Sequence, residues 1–342
     1  AKVPLFPLPR VGKRETVEEG LTTDAAPLLK PWQGASFGVH KHRVVLWYYN
    51  PEKDALVAYR VEDGSREVYK APKDLRHAES CEVAPEPEAQ RVHLAALEWS
   101  KTYHKGVYMV FDVRSKVWDE QDIPYGRHLY LAVGSGTVNV LRVSLAEGTV
   151  TLYSRASDRN NRPAGAALQR KKTGIWTGEV ILHNKDAGAE YVLFPCGRGA
   201  ADVFYVSGNW RSKSYDLFLL SKHAGVWRRE LVGRCRMPAL GEAPQLYILA
   251  PSATVDATGA VHIACYDPAL HAIKHFWREG HGWRNETVVP IDLAGRTAIA
   301  SVRDKLVIAY FVPNALELRL AWRNWPQQGT REGTARANNA PE

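Results

Sequence analysis

The chain has 342 residues, is 45% apolar and 24% charged, and carries a formal net charge of +8. This apolar content belongs to a folded chain rather than a disordered one, and no apolar run reaches the roughly 20 residues that a membrane-crossing helix needs. Eleven tryptophans and fifteen tyrosines against two methionines suit twisted β-sheets, and the long periodicity of amphipathic helices is missing.

In chain order, the first thirty residues carry four prolines and mixed charge, so residues 1–31 read as an extended lead-in. Part of it is positioned to supply a strand that closes a ring and removes an exposed sheet edge. From Trp32 to Trp325 an apolar phrase recurs. It appears as VVLWYY from Val44, VHLAAL from Val92, VNVLRV from Val138, VFYVSG from Val203, VHIACY from Val261 and LVIAYF from Leu306. The intervals between these starts are 48, 46, 65, 58 and 45 residues, so loops are inserted in the third and fourth repeats. The fifth repeat is the clearest. Its strands are expected at 252–255, 261–266, 272–278 and 283–289, with a tight turn at 256–259 that places glycine where a positive φ is needed. Four short strands in about forty residues is the period of a propeller blade. The fold class is therefore all-β, a β-propeller of six or seven four-stranded blades spanning residues 32–325. Residues 326–342, with almost no apolar side chain, read as a disordered tail.

Strands alternate in direction, so the second-to-third hairpins of all blades and the links between blades share one face. Two hairpins there are chemically distinctive. EWSKTYHK presents Trp99, Lys101, Tyr103, His104 and Lys105, and SGNWRSKS presents Asn209, Trp210, Arg211 and Lys213. Aromatic planes beside cations and amides are suited to stacking on a sugar ring or peptide side chain while holding a carboxylate. The candidate ligand-binding set is Trp99, Lys101, Tyr103, His104, Asn209, Trp210, Arg211 and Lys213. The segment 155–174, with six basic residues and one acidic, reads as a loop.

The segment PWQGASFGVHKHRVVLWYYNPEKDALVAYR, residues 31–60, resembles the opening blade of the sialidase-like repeat propellers that include ulvan lyases and their rhamnosidase relatives. SGNWRSKSYDLFLLSKHAGVW, residues 207–227, is similar to their Ser-Gly-Asn turn followed by a strand and a tryptophan. The resemblance covers about half the chain. It implies a base, an acid and a carboxylate clamp for eliminative cleavage of a uronide. His77 falls where the first lyase histidine stands, Tyr205 precedes the Ser-Gly-Asn turn as the lyase tyrosine does, and Arg211 is placed to neutralise a carboxylate. The chain departs from the pattern at Ala35 and at Glu98-Trp99, where the family carries histidines.

Other chemistry is weakly supported. The Ser-x-Asp-x-Gly-x-Thr-Trp box of true sialidases is absent, as are a nucleophile elbow and a phosphate-binding glycine loop. Cys81, Cys196, Cys235 and Cys265 have no zinc-ligand spacing, and neither His40 and His42 nor His271 and His275 have an evident third ligand, so neither metal nor cofactor is expected. The cysteines leave one disulfide open, and a leader removed ahead of Ala1 leaves export open. The positive charge favours an acidic partner by steering, whereas nucleic acid is disfavoured because the excess is spread out and no reading motif accompanies it. The reading carried forward is a non-catalytic propeller that recognises an acidic oligosaccharide or peptide through the hairpin face and presents it to a partner enzyme. Polyuronide cleavage by His77, Tyr205 and Arg211 is the alternative.

Overall fold

The structure, a computed structural model, describes residues 14–18 and most of 35–325. Outside the described residues lie, chiefly, 1–13, 19–34, 100–103, 145–148, 157–175, 184–189, 196–200, 210–213, 237–250, 313–316 and 326–342. Twenty-four strands form six four-stranded antiparallel sheets, and no helix occurs among the described residues. Strand β1 is Arg14–Glu18. Blade 1 holds β2 (Ala35–His40), β3 (Arg43–Asn50), β4 (Ala55–Arg60) and β5 (Arg66–Lys70). Blade 2 holds β6 (Ala78–Glu86), β7 (Arg91–Trp99), β8 (His104–Asp112) and β9 (Val117–Gln121). Blade 3 holds β10 (His128–Gly134), β11 (Thr137–Ser144), β12 (Thr149–Ala156) and β13 (Thr177–His183). Blade 4 holds β14 (Glu190–Pro195), β15 (Ala201–Asn209), β16 (Ser214–His223) and β17 (Val226–Arg236). Blade 5 holds β18 (Ser252–Val255), β19 (Val261–Asp267), β20 (Ala272–Glu279) and β21 (Gly282–Pro290), and blade 6 holds β22 (Thr297–Val302), β23 (Lys305–Val312) and β24 (Glu317–Asn324).

Each of the six repeated apolar phrases is the second strand of a blade. The reason they read as continuous apolar runs is visible in their burial. β23 is buried from its second residue onward and β19 likewise, because each packs against neighbouring blades on both faces. The outermost strands β5 and β9 instead alternate half-buried with exposed positions, since one side faces water. The innermost strands touch in cyclic order, β2 to β6, β10, β14, β18, β22 and back to β2, which closes the ring. Blade 6 takes its fourth strand from the front of the chain. β1 pairs antiparallel with β24, Arg14 opposite Ala321 and Glu15 opposite Leu320.

The apolar core is a series of clusters between blades. One joins Leu46, Tyr48 and Tyr59 of blade 1 to Val307, Ala309 and Leu320 of blade 6. Another joins Phe204, Leu217 and Val232 of blade 4 to Ile263 and Phe276 of blade 5 and Ile308 of blade 6. Burying a side chain of this size contributes roughly 1.5–3 kcal/mol. Blade 4 packs so closely on blade 5 that a Cβ at Gly233 would lie 2.3 Å from a ring carbon of Phe276, which is why glycine stands there. In blade 5 the expected strands are observed within a residue or two at each end. Gly259 has φ +84° in the turn between β18 and β19, and Asp256 Oδ1 caps that turn by accepting from the backbone N–H of Thr258 and of Ala260.

Candidate functional site on the hairpin face

The six second-to-third hairpins are built on one frame. The closing pairs are Asn50 with Ala55, Trp99 with His104, Ser144 with Thr149, Asn209 with Ser214, Asp267 with Ala272 and Val312 with Glu317. Each pair brackets four residues, so the loops differ in chemistry rather than in length.

In blades 1 and 5 these loops are self-braced. Asn50 Oδ1 accepts from the Lys53 N–H at 3.1 Å, and Asp267 Oδ1 accepts from the N–H of Ala269 at 3.1 Å and of Leu270 at 3.3 Å. Both loops then return through a residue in the left-handed region, Asp54 at φ 47° and His271 at φ 46°. The adjoining blade-to-blade links are tied to the same loops. Tyr49 donates its hydroxyl to Asp54, whose carboxylate also accepts from the Leu75 N–H. Tyr266, five residues after Val261 as Tyr49 is after Val44, donates to the Asp292 carbonyl at 2.5 Å, and Ile291 N–H bonds to the His271 carbonyl. Burial pushes the Tyr266 hydroxyl up to about 12, helped by the charges of Asp267 and Asp292, so it stays a donor at every physiological pH. Behind the blade 5 loop, buried Asp267 stands 3.7 Å from the Lys274 ammonium, itself 8% exposed and lying 5.2 Å from the Phe276 ring centroid.

Blades 2 and 4 lack this bracing tyrosine. The equivalent positions hold Leu97 and Gly208, and the four bracketed residues are Ser-Lys-Thr-Tyr and Trp-Arg-Ser-Lys. Of the residues singled out from the sequence, Trp99 ends β7 directly opposite His104 at the start of β8, and Asn209 ends β15 opposite Ser214. His77, Lys101, Tyr103, Trp210, Arg211 and Lys213 lie outside the described residues. Both distinctive hairpins thus close at the same end of blades 2 and 4, with blade 3 between them. Tyr205 is elsewhere. It is fully buried in β15, packed with Val203, Leu220 and residues of blade 3, and its ring stacks on Phe218 at 5.3 Å. Four residues of extended chain separate it from Asn209, roughly 13 Å at 3.3 Å per residue.

Sequence reasoning missed one polar group that the fold brings to this face. Ser214 donates to Asp216 Oδ1 at 2.9 Å, and the exposed Arg234 side chain reaches the same oxygen at 3.1 Å, so an arginine stands beside the blade 4 hairpin held by a buried carboxylate. Arg234 enters from β17, twenty residues further along, and only the strand pairing shows its proximity. Among the described residues no group of three or more His, Cys, Asp or Glu side chains is arranged to hold a metal ion. Cys81, Cys235 and Cys265 are buried thiols outside any disulfide.

No family model matches the chain, and no curated protein does. Solved structures do match. An α-L-arabinanase from Penicillium chrysogenum, complexed with arabinobiose, superposes over 92% of this chain and 99% of its own with a TM-score of 0.61 at 13% identity. The chain shares its propeller fold with this arabinanase. A PL25 ulvan lyase bound to a glucuronic acid and sulfated rhamnose repeat covers 89% of this chain and 81% of its own, at TM-score 0.50 and 12% identity. Trypanosoma rangeli sialidase in complex with sialic acid covers 85% of this chain and 54% of its own, at TM-score 0.50 and 9% identity. At these identities the likeness is one of fold, and the resemblance found in residues 31–60 and 207–227 is a distant one.

Proposed function

We propose that this propeller is a binding protein for acidic oligosaccharides, seated on the hairpins of blades 2 and 4. The observation that carries the reading is the contrast among loops of equal length. Where blades 1 and 5 use Asn50 and Asp267 to hold their own backbone, the sequence of the blade 2 and blade 4 hairpins carries Trp99, Lys101, Tyr103 and His104, and Trp210, Arg211 and Lys213 beside Asn209, which stands at the position of Asn50 and Asp267. Tryptophan and tyrosine offer flat apolar faces to sugar rings, and arginine and lysine offer the charge that a carboxylate or sulfate requires. Arg234, exposed beside the blade 4 hairpin and anchored by Asp216, offers its remaining N–H donors to an anion, and the chain's net charge of +8 favours an anionic ligand. That structurally similar proteins were solved with arabinobiose, sialic acid and an acidic ulvan repeat supports a sugar over a peptide as ligand.

The non-catalytic reading is favoured over elimination by the setting of Tyr205. A leaving-group acid has to reach the glycosidic oxygen, and this hydroxyl belongs to a fully buried side chain packed between blades 3 and 4. A ligand held without turnover suits presentation to a partner enzyme. Titration of a tetrasaccharide of a polyuronide against its neutral counterpart tests the reading. Binding of the acidic sugar that weakens about tenfold or more in Trp210→Ala and Arg211→Ala is expected, the range of a buried aromatic or arginine anchor. Growth of ultraviolet absorbance from an unsaturated uronide, abolished by Tyr205→Phe, would establish the lyase instead.

A further inference from the structure

On the face opposite the hairpins, two blade junctions repeat one polar arrangement. His93 and His262 each follow the equivalent valine in the second strand of blades 2 and 5, and each is fully or nearly fully buried. Each is paired with the acid that precedes its strand: Glu86 Oε2 lies 3.3 Å from His93 Nε2, and Asp256 Oδ2 lies 3.2 Å from His262 Nε2. The other ring nitrogen faces a residue of the third strand, Tyr108 Oη at 2.5 Å or His275 Nε2 at 3.0 Å. Each junction is then capped by an arginine from the next blade at the position opposite the equivalent apolar residue of that blade's second strand. Arg155 pairs with Val138 and Arg323 with Leu306. Arg155 lies over Tyr108 and Trp176, and Arg323 over Trp277 and Trp325.

The difference lies in the proton inventory. In the blade 2 to blade 3 junction, His93 donates from Nε2 to Glu86 and accepts the Tyr108 hydroxyl proton at Nδ1, so every contact has one proton and a neutral imidazole suffices. In the blade 5 to blade 6 junction, one neutral arrangement has His262 donate to Asp256 and accept from His275 Nε2–H. His275 then has only a lone pair left at Nδ1, which accepts from Arg323 Nη1 at 3.4 Å. Yet Glu286 Oε1 also lies 2.8 Å from that Nδ1. That contact is a hydrogen bond in the opposite arrangement, which leaves Asp256 Oδ2 without the His262 proton. Two neutral imidazoles therefore serve one carboxylate or the other, and all three contacts are hydrogen bonds only when the pair takes a third proton. Glu286 is also the ion-pair partner of Arg323, so it is shared between the two.

We propose that the blade 5 to blade 6 junction is an acid-released seam, in which a third proton on the His262–His275 pair makes an imidazolium beside Arg323 that claims Glu286 and so detaches blade 6. Arg323 would share its carboxylate with the imidazolium and face a new positive charge. The charged and titratable groups that face His275 are His262 of its own blade's second strand, Asp256 beyond it, Glu286 of β21 and Arg323 of β24. Blade 6 is also the blade whose last strand is the non-contiguous β1, so its release would open the ring where the two ends of the chain meet.

The sign follows from the environment. Burial, with His262 and Arg323 close by, holds His275 well below the ordinary 6.5, and burial holds His262 below it against the pull of Asp256. Groups depressed in this way add stability that is complete above about pH 6.5 and is lost as pH falls below it, because the unfolded chain takes up the protons first.

Amide hydrogen exchange of the intact chain at pH 7.5 and pH 5.0, expressed as protection factors, tests the seam without any substitution. The expected result is a loss of protection of about tenfold or more in β24 and β1 at pH 5.0, with β8 and β12 at the other junction changing less, since one unit of pKa depression is tenfold in the opening equilibrium. Equal loss at both junctions, or none in β24, would overturn the proposal. His275→Tyr, which copies Tyr108 into the titrating junction, is expected to abolish the extra loss in β24. Should that variant fail to fold, the wild-type comparison still decides, and Glu286→Gln, which removes the charge that favours the protonated form, is expected to leave the onset near pH 6.5 and to extend the loss to lower pH.

Discussion

The hairpins of blades 1 and 5 and those of blades 2 and 4 have the same length and occupy equivalent places, but their side chains face different tasks. In the first pair an Asn or Asp caps the loop, a buried tyrosine ties down the adjoining link, and a residue at positive φ completes the reversal. In the second pair the tyrosine is replaced by Leu97 or Gly208, and the loop residues are aromatic and cationic. The difference teaches that the fold needs only a four-residue connection at each site. Polar side chains brace the loops of blades 1 and 5, and in the proposed function those of blades 2 and 4 serve a ligand instead.

The largest effect expected from testing this contrast is in blade 5. Asp267→Ala removes two backbone caps and leaves the buried Lys274 ammonium without its carboxylate, so a loss of about 3 kcal/mol or more is predicted from denaturant unfolding. Asp267→Asn keeps the caps and should cost less. If Asp267→Ala were as stable as the unsubstituted protein, the bracing role would be wrong. A smaller change, Tyr266→Phe, deletes the hydroxyl that holds the Asp292 carbonyl and should cost about 1 kcal/mol, with no effect on ligand affinity. Smallest of all should be the exchange of the blade 4 loop for that of blade 5, by Asn209→Asp, Trp210→Pro, Arg211→Ala, Ser212→Leu and Lys213→His. Its stability should stay within about 0.5 kcal/mol, because the frame is common and the donor loop is self-capped. A loss comparable to that of Asp267→Ala would mean that the blade 4 loop carries structure after all.

Much of this frame was legible in the sequence. Val44, Val92, Val138, Val203, Val261 and Leu306 announce the second strands because those strands are buried on both faces and so read as unbroken apolar runs. Asp-Pro at 267–268 and Asn-Pro at 50–51 mark two of the hairpins, since proline stiffens a turn and cannot donate to a ladder. The sharing of one face by hairpins and links followed from strand alternation. What the sequence did not disclose depends on packing across blades. The partnership of His262 with Asp256 and His275 needs the diagonal geometry of three strands, and Arg323 joins them only through the contact between blades 5 and 6. Arg234 reaches Asp216 for the same reason. Tyr205 reads from the sequence as a core aromatic, the acid role coming only with the resemblance, and alternation along β15 turns it toward blade 3 while Phe204 faces blade 5.

The measurement that bears most directly on the function is calorimetric titration of a polyuronide tetrasaccharide into the protein and into its blade 4 loop-exchange variant, with ultraviolet absorbance followed in the same samples. The account predicts saturable binding by the unsubstituted protein that weakens as salt is raised, a loss of about tenfold or more in the variant at unchanged stability, and no growth of absorbance. Equal affinity in the two proteins, or steady production of unsaturated uronide, would contradict it.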